Sequence, residues 1–497
     1  MILYNIKKSV FAFATVLIAG FISSCSSFPD EAVKVKALPK IYPDYTDVTI
    51  PKNIAPLNFM MRDKVDGVAV YVNGDDYYSS DDGDVRFDIG TWRELLSDNA
   101  GKKIEIKVLA KYGDEWREYK PFNFYVSNDT IDPCLTYRLI EPDYEVWNNV
   151  VLQQRDITSF DTKNIADYNL QENRCMNCHI IGNRNPNLSM MYVRGKGGGA
   201  ILNKDGKLRK LDIKAKNDVD SMISSSVYYG FDKTGRYITF STNIIVPSFH
   251  SAKSKRLEVY DKKSDVYVAD LEKNIIYNNP VTADTSKLET FPVFSPDDKY
   301  LYYCSADMKP LLDNDIKALK YALVRVPFDK NTGKTGNKVD TLYNKQSVCH
   351  PKISPDGRFI VYTVADYGTF PIWHREADLQ LMNLKTGVVD SLQIVNSNRS
   401  DTYHSWSSNS RWLVFASKRD DGLYGKPYFC YIDKNGKAYK PFVLPQKDPE
   451  FYDNCLKSFN VPELAKGSLP FDATDVERVM KQESEKFKLV SLKKTIK

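Results

Sequence analysis

Four segments of the chain repeat one pattern of strand, tight turn and strand, and this repeat limits the possible folds more than any other feature. The segments start at Val227, Phe291, His350 and Tyr403. The third contains Ser-Pro-Asp-Gly, in which Pro presets the first turn dihedral, Asp bonds its own backbone and Gly accepts a positive φ. Further strands follow each repeat, so a unit has about four strands, as in a propeller blade. The 32 Tyr and 24 Phe, both common strand residues, favour the same fold class.

The predicted organisation is all-β. Residues 189–446 form a five- or six-bladed β-propeller, with an earlier partial unit near residues 189–213. Residues 45–128 contain short alternating strands separated by turn clusters, which predict an Ig-like β-sandwich. We expect residues 129–188 to be an irregular connector that builds a cofactor pocket, and residues 447–497 to be a C-terminal extension.

The connector contains Cys175-Met176-Asn177-Cys178-His179, the attachment sequence for c-type haem. Thiols three positions apart reach the two vinyl groups at one edge of a porphyrin, and the following His lies under the iron as its proximal ligand. A zinc site would need a second pair of ligands at similar spacing. A thioredoxin-like motif would need a βαβ context. The motif therefore predicts one covalent haem c, held by Cys175 and Cys178 and ligated by His179.

The sixth iron ligand is open at this stage. Met191 and Met190 follow the proximal His by 12 and 11 residues, and either thioether can bind the distal face as in electron-transfer cytochromes. Both can equally be packing residues. His350 and His404 begin the innermost strands of their blades, near the mouth of a central channel, and are weaker alternatives. A five-coordinate iron is the remaining possibility.

Two further segments are candidates for binding. Arg194 and Lys196 lie in a Gly-rich turn and can meet the haem propionates, which are carboxylates, or can be solvated charges. The aromatic segment of residues 366–374 is a long loop that either lines the channel mouth or packs. We find no convincing hydrolase constellation.

The N-terminus predicts export. Lys7 and Lys8 precede a short apolar stretch that ends in Ile-Ser-Ser-Cys25, a pattern similar to a lipoprotein signal over residues 1–25. Lipid on Cys25 would anchor the chain to a membrane, with residues 26–44 as a tether, in the outer membrane of a bacterial envelope facing either side. Five other cysteines remain, an odd number whose pairing the sequence leaves open: Cys134, Cys304, Cys349, Cys430 and Cys455.

The repeats resemble those of TolB-like propellers, whose signature is an apolar pair, Ser-Pro-Asp-Gly, a basic residue and an alternating strand. The second repeat departs from this pattern at Asp298, and the first and fourth lack Ser-Pro. The whole chain resembles bacterial lipoproteins that join such a propeller to one c-haem motif. The resemblance implies a fold and a cofactor, and it says little about activity.

We expect a lipid-anchored monohaem protein that transfers electrons or senses redox state, with the propeller as a docking platform for a redox or envelope partner. A glycan- or protein-binding scaffold is the alternative, and a haem peroxidase-like enzyme the second. The net charge of +5 is spread along the chain without a dense basic block, so we do not expect nucleic acid as a partner.

Overall fold

The computed structural model describes residues 28–29, 31–141, 149–170, 174–218, 220–249 and 257–492. The predicted signal peptide and Cys25 lie outside these ranges. The described chain is nearly all β, as predicted, and forms an N-terminal two-sheet domain followed by a six-bladed propeller. Among the described residues, no helix has the length and apolar character needed to cross a membrane.

The N-terminal domain has ten short strands and one helix. They are β1 (Val33–Lys34), β2 (Ile41–Tyr42), β3 (Val48–Pro51), β4 (Phe59–Met61), β5 (Gly67–Val72), β6 (Asp75–Ser80), β7 (Asp84–Val85), α1 (Ile89–Asp98), β8 (Lys103–Tyr112), β9 (Glu115–Glu118) and β10 (Phe122–Ser127). Strands β2, β4 and β7 form one sheet and the other seven form the second. The second sheet contains parallel pairs of β1 with β9 and of β3 with β10. The predicted Ig-like topology, which is antiparallel, is therefore not confirmed.

The propeller strands follow in chain order, with three short helices among them. They are β11 (Cys134–Ile140), β12 (Val151–Asp156), β13 (Thr162–Asp167), β14 (Met176–Ile181), β15 (Leu188–Val193), β16 (Gly199–Lys204), β17 (Lys207–Asp212), β18 (Ser226–Phe231), β19 (Tyr237–Phe249), β20 (Leu257–Asp270), β21 (Ile275–Asn278), β22 (Lys287–Phe294), β23 (Tyr300–Asp307), α2 (Lys309–Leu312), β24 (Ala322–Asp329), β25 (Lys334–Thr335), β26 (Asp340–Tyr343), β27 (Ser347–Ile353), β28 (Phe359–Ala365), β29 (Asp378–Asn383), β30 (Val389–Asp390), β31 (Asp401–Trp406), β32 (Trp412–Ser417), β33 (Lys426–Tyr431), β34 (Phe442–Val443), α3 (Phe451–Asn454), β35 (Ser458–Ala465), α4 (Ala473–Met480), β36 (Glu485–Lys486) and β37 (Lys488–Ser491).

Six sheets make the blades. Blade 1 contains β11–β13 and β35, blade 2 contains β14–β17, and blade 3 contains β18–β21. Blades 4, 5 and 6 contain β22–β26, β27–β30 and β31–β34. The innermost strands contact one another in a closed ring, in the order β35, β14, β18, β22, β27 and β31. Because blade 1 takes its inner strand from the far end of the chain, β35 closes the ring.

The turn chemistry predicted from the repeats is present. In blade 5 the Ser354 hydroxyl donates to Asp356 at 2.6 Å and accepts from the backbone N–H of Phe359 at 3.0 Å. Ser295 accepts from the backbone of Tyr300 in blade 4 in the same way. In blade 3, Asp232 replaces the serine and accepts from Tyr237 at 2.9 Å. A short polar side chain at this position therefore fixes the turn between the first two strands of a blade.

The domain boundaries differ from the predicted ones. The segment interpreted as an irregular connector supplies three strands of blade 1 and the inner strand of blade 2. The predicted C-terminal extension supplies β35, and its last two strands extend blades 2 and 3 by parallel pairing. The haem motif thus belongs to the propeller itself.

Candidate functional site

Each inner strand contains a β-bulge at the same height, and the six bulges form a ring around the channel. From blade 1 to blade 6, the bulged pairs are Val461-Pro462, Cys178-His179, Tyr228-Tyr229, Phe291-Pro292, His350-Pro351 and Tyr403-His404. In five of them the first residue has a φ of 49–53°, which re-aims the side chains. The haem motif therefore occupies a position that the propeller repeats six times.

The ring surrounds a cavity of about 1640 Å³, part of which is open to solvent. At least one residue of every bulged pair lines it. Cys175, Arg138 and Arg194 add to its wall on the side of blades 1 and 2, and aromatic and aliphatic side chains cover the opposite side. A concave, largely apolar space with a few convergent polar groups is the usual form of a ligand site.

His179 lines this cavity and has an unsatisfied ring nitrogen. Its side chain is buried, and Nε2 has no hydrogen-bond partner. Burial lowers the pKa of His179 to about 4, against the opposing effects of the Glu463 carboxylate and a hydrogen bond with the Thr136 backbone. The ring is therefore neutral near pH 7. A neutral imidazole with one nitrogen held and the other unpaired is the form that ligates a metal.

The thiol of Cys175 lies near His179 on the same wall. Its side chain is half-buried and lines the cavity. Burial raises the pKa of the Cys175 thiol, while Arg138 and Arg194 oppose the shift by their positive charge. The backbone of Cys178 is described in β14, but its side chain is not. In the described part of the motif, Cys175 and His179 therefore line one and the same cavity.

These residues fit a covalent haem. The buried Nε2 of His179 lacks the partner that buried polar atoms normally have. Coordination to an iron would satisfy this nitrogen. Among the described residues, no group of three or more His, Cys, Asp or Glu side chains could hold a metal ion. An iron inside a porphyrin needs only axial ligands from the protein.

Just after the bulges along the inner strands, an ion pair connects two blades across the channel. Glu463 of blade 1 accepts from the backbone N–H of Ile181 at 2.7 Å and from the ammonium of Lys352, which comes from blade 5, at 3.1 Å. Glu463 and Lys352 line both this cavity and a second cavity of about 1220 Å³ on the other side. The pair therefore separates the two cavities and closes the inner end of the first.

The two histidines predicted at the channel mouth do line the cavity. His350 lies on the blade opposite His179 in the ring of six. Its ring packs between Phe291, at 4.3 Å, and Tyr403, at 4.6 Å. His404 donates from Nε2 to the carbonyl of Val361 at 2.9 Å, and burial lowers its pKa to about 3. The backbone therefore holds Nε2 of His404, whereas its buried Nδ1 has no hydrogen-bond partner.

The structure removes Met190 and Met191 as distal ligands. They are consecutive residues of β15, a strand whose two faces pack against different neighbours. Met190 is buried in the core shared with blade 3, and Met191 in the core shared with blade 1. Neither lines the cavity. Arg194 does line it, whereas Lys196 is exposed and lies outside its wall.

The aromatic segment 366–374 forms part of the mouth, as one of its two interpretations proposed. Phe370, Ile372 and Trp373 line the cavity. Phe370 and Trp373 pack against Val259 and Ile245 of the β19–β20 hairpin, which is longer than the hairpins of the other blades. The sequence does not indicate this roof, because the contacts of the hairpin with Phe370 and Trp373 join parts of the chain that are far apart in sequence.

The five remaining cysteines are free thiols. They are Cys134, Cys304, Cys349, Cys430 and Cys455. Burial raises the pKa of Cys134 to about 11 and that of Cys430 to about 12, and it raises the pKa values of Cys304 and Cys349 well above the usual value of a thiol. These four buried thiols act as small apolar core residues.

Comparison with known proteins gives only distant similarities. No protein family and no curated protein matches the chain. An oligogalacturonate lyase in complex with manganese is 13% identical, covers 61% of this chain and 72% of its own, and has a TM-score of 0.34. Synechocystis apocarotenoid oxygenase is 11% identical over 83% of this chain and 95% of its own, with a TM-score of 0.36. Prolyl oligopeptidase B from Galerina marginata is 11% identical over 68% and 43%, with a TM-score of 0.34.

These similar structures are of enzymes, and none of the three is a haem electron-transfer protein. The predicted function in electron transfer or redox sensing is therefore wrong. The burial of Met190 and Met191 agrees with this correction, because it removes the His/Met ligation expected of an electron-transfer cytochrome.

Proposed function

We propose that the chain is a haem c protein that binds a small molecule beside the iron, inside the propeller. The observation that carries the proposal is the buried, unpartnered Nε2 of His179, which shares a roofed cavity with the Cys175 thiol. Haem, when bound, would supply an iron that can bind a small molecule from the cavity. The TolB-like character of the repeats supports the same picture of an envelope propeller.

Different residues of the chain would attach the haem, bind its iron and exclude water. Cys175 and Cys178 would attach the haem when each thiol adds across a vinyl double bond, with sulfur bonding one carbon and the thiol hydrogen the other. His179 would bind the iron through Nε2 in its neutral form. The Glu463–Lys352 pair would keep water from entering through the inner end, and the roof would limit access from the mouth.

We also propose that the protein is exported and carries lipid at Cys25. The signal-like pattern of residues 1–25 supports export. Export would bring the chain to the compartment in which c-type haem is attached.

The test is maturation of the full chain together with a haem-attachment system. We expect one haem per chain that survives acid–acetone extraction, and we expect the reduced protein to bind carbon monoxide. The Cys175→Ser/Cys178→Ser variant should lose the pigment, while the matched Cys455→Ser variant should keep it. A colourless wild-type protein would disprove haem attachment, and a pigment that binds neither carbon monoxide nor cyanide would disprove the small-molecule site.

A further inference from the structure

The outer part of the cavity, between the bulge ring and the mouth, has features that the haem motif does not explain. Strands β19 and β20 have 13 and 14 residues, whereas β32 and β33 in blade 6 have six each. The extra length brings Val259 and Ile245 onto Phe370 and Trp373, which belong to blade 5. We call this cluster, with Leu257 and Tyr228, the apolar roof. It spans the channel from blade 3 to blade 5.

One ammonium group lies against the roof. Lys418 follows β32 in blade 6 and lines the cavity. Its Nζ donates to the carbonyl of Ile372 at 3.1 Å and lies 5.2 Å from the ring centroid of Trp373. An ammonium has three N–H donors, so this arrangement leaves two for another partner.

Lys418 differs from the other basic residues of the cavity. Lys352 is paired with Glu463, and Arg138 and Arg194 lie beside Cys175. Among the described residues, no ion pair within 4 Å includes Lys418. Burial lowers the pKa of its ammonium to about 8, opposed by the charge of Asp421. A desolvated cation without a paired carboxylate gains most from an anion delivered by a ligand.

We propose that the outer cavity binds apolar carboxylates, with the carboxylate on the Lys418 ammonium and the hydrocarbon or aromatic part under the apolar roof. This deepens the proposed function, because it names the class of small molecule held near the haem. The roof supplies dispersion and burial of apolar area, and Lys418 fixes the orientation of the ligand. A carboxylate at Lys418 has two possible sources, a separate molecule or a haem propionate, and we commit to the separate molecule.

The experiment uses 4-phenylbutyrate as the probe and 4-phenylbutan-1-ol as its neutral counterpart, with binding measured by calorimetry near pH 7. It is run on the full chain matured without haem and, in a second arm, with haem. We expect the acid to bind at least about ten times more tightly than the alcohol, since a hydrogen bond between two charged groups is stronger than one that involves a neutral hydroxyl. Lys418→Gln should weaken binding of the acid by about ten- to hundred-fold and change the affinity for the alcohol by less than about three-fold.

Controls separate charge from shape. Lys418→Arg should keep most of the preference for the acid, and the exposed Lys385→Gln should bind like wild type. Trp373→Ala should weaken binding of the acid and of the alcohol by similar factors, because it removes part of the apolar roof and leaves the charge of Lys418 in place. If Lys418→Gln does not fold, the acid-to-alcohol ratios of wild type and Lys418→Arg still test the proposal.

The outcomes are distinct. Equal binding of acid and alcohol, or acid binding that Lys418→Gln leaves unchanged, overturns the proposal. Acid binding that is present without haem and absent with haem also overturns it, because Lys418 then serves a propionate. A chain that never takes up haem but binds the acid through Lys418 would refute haem attachment and retain the carboxylate site.

Discussion

The ion pair that closes the channel gives a quantitative test of the architecture. Glu463 is almost fully buried, with 6% of its side chain exposed, and Lys352 is 29% exposed. At their separation of 3.1 Å, an effective dielectric constant of about 20 gives a gross attraction of about 5 kcal/mol. Desolvation of both groups offsets much of this value. We therefore expect a net coupling of about 2 kcal/mol between the two side chains.

A double-mutant cycle measures this coupling. Lys352→Met should cost about 3 kcal/mol, because it leaves a buried carboxylate whose remaining partner is the N–H of Ile181. Glu463→Gln should cost somewhat less, because Lys352 can reach water. The double variant should recover about 2 kcal/mol relative to the sum of the two costs. Free energies of unfolding are measured by urea titration of the full chain, at constant m value.

An exposed pair serves as the control. Glu477 lies on α4 and Lys481 caps the C-terminus of this helix one turn later, with 31% and 65% of their side chains exposed. Their coupling should be about 0.3–0.5 kcal/mol or less. If the Glu463 and Lys352 variants are additive within about 0.5 kcal/mol, the pair does not hold the channel closed and our account of the inner end is incorrect.

Three further predictions concern the cofactor, a buried carboxyl and the thiols. His179→Ala should retain the covalent pigment but change its spectrum, and added imidazole should restore the wild-type spectrum. Burial raises the pKa of Glu289 to about 9 from its usual 4.5, so the folded state holds this proton more tightly and stability falls as pH rises between these values. The stability of Glu289→Gln relative to wild type should therefore increase by about 3 kcal/mol between about pH 5 and pH 7, measured by urea titration at each pH. In the native chain, iodoacetamide should modify Cys455, which is partly exposed, and should reach the buried Cys430 only after unfolding, as read by mass spectrometry.

The propeller could be predicted where the turn chemistry is explicit in the sequence. In blades 4 and 5 a Ser-Pro-Asp turn joins the first two strands. The serine hydroxyl bonds the aspartate two residues later, so the interaction is local and appears in the sequence as a short motif. Blade 1 has no such motif, because its inner strand β35 and its outer strands are about 290 residues or more apart in the chain. Pairing at that separation is decided by tertiary packing and leaves no local pattern.

The sequence shows the haem motif but not its place in a propeller blade. In blades 2 to 6 the turn begins four residues after the first bulged residue, at Ser354 in blade 5 and at Gly182 in blade 2. The Gly-Asn-Arg-Asn turn of blade 2 lacks the serine or aspartate that marks the turns of blades 3 to 6, so the turn residues alone do not extend the repeat to it. The spacing between bulge and turn was the signal that could have found it. The same omission misplaced Met190 and Met191, since the register of β15 decides which core each one enters.

The six-fold repeat explains how one channel can combine haem attachment, closure of its inner end and selection of a ligand. Each inner strand contributes residues to the bulge ring, to the cavity wall and to the level of the Glu463–Lys352 pair. A substitution at one of these levels should therefore change the function of that level alone. In blade 2 the bulge carries Cys178 and His179, and in blade 5 the layer below carries Lys352. The charge that selects a carboxylate, on Lys418, comes from the end of a second strand and not from the ring. Attachment of haem, closure of the channel and selection of a ligand should therefore fail independently of one another when each is removed by mutation.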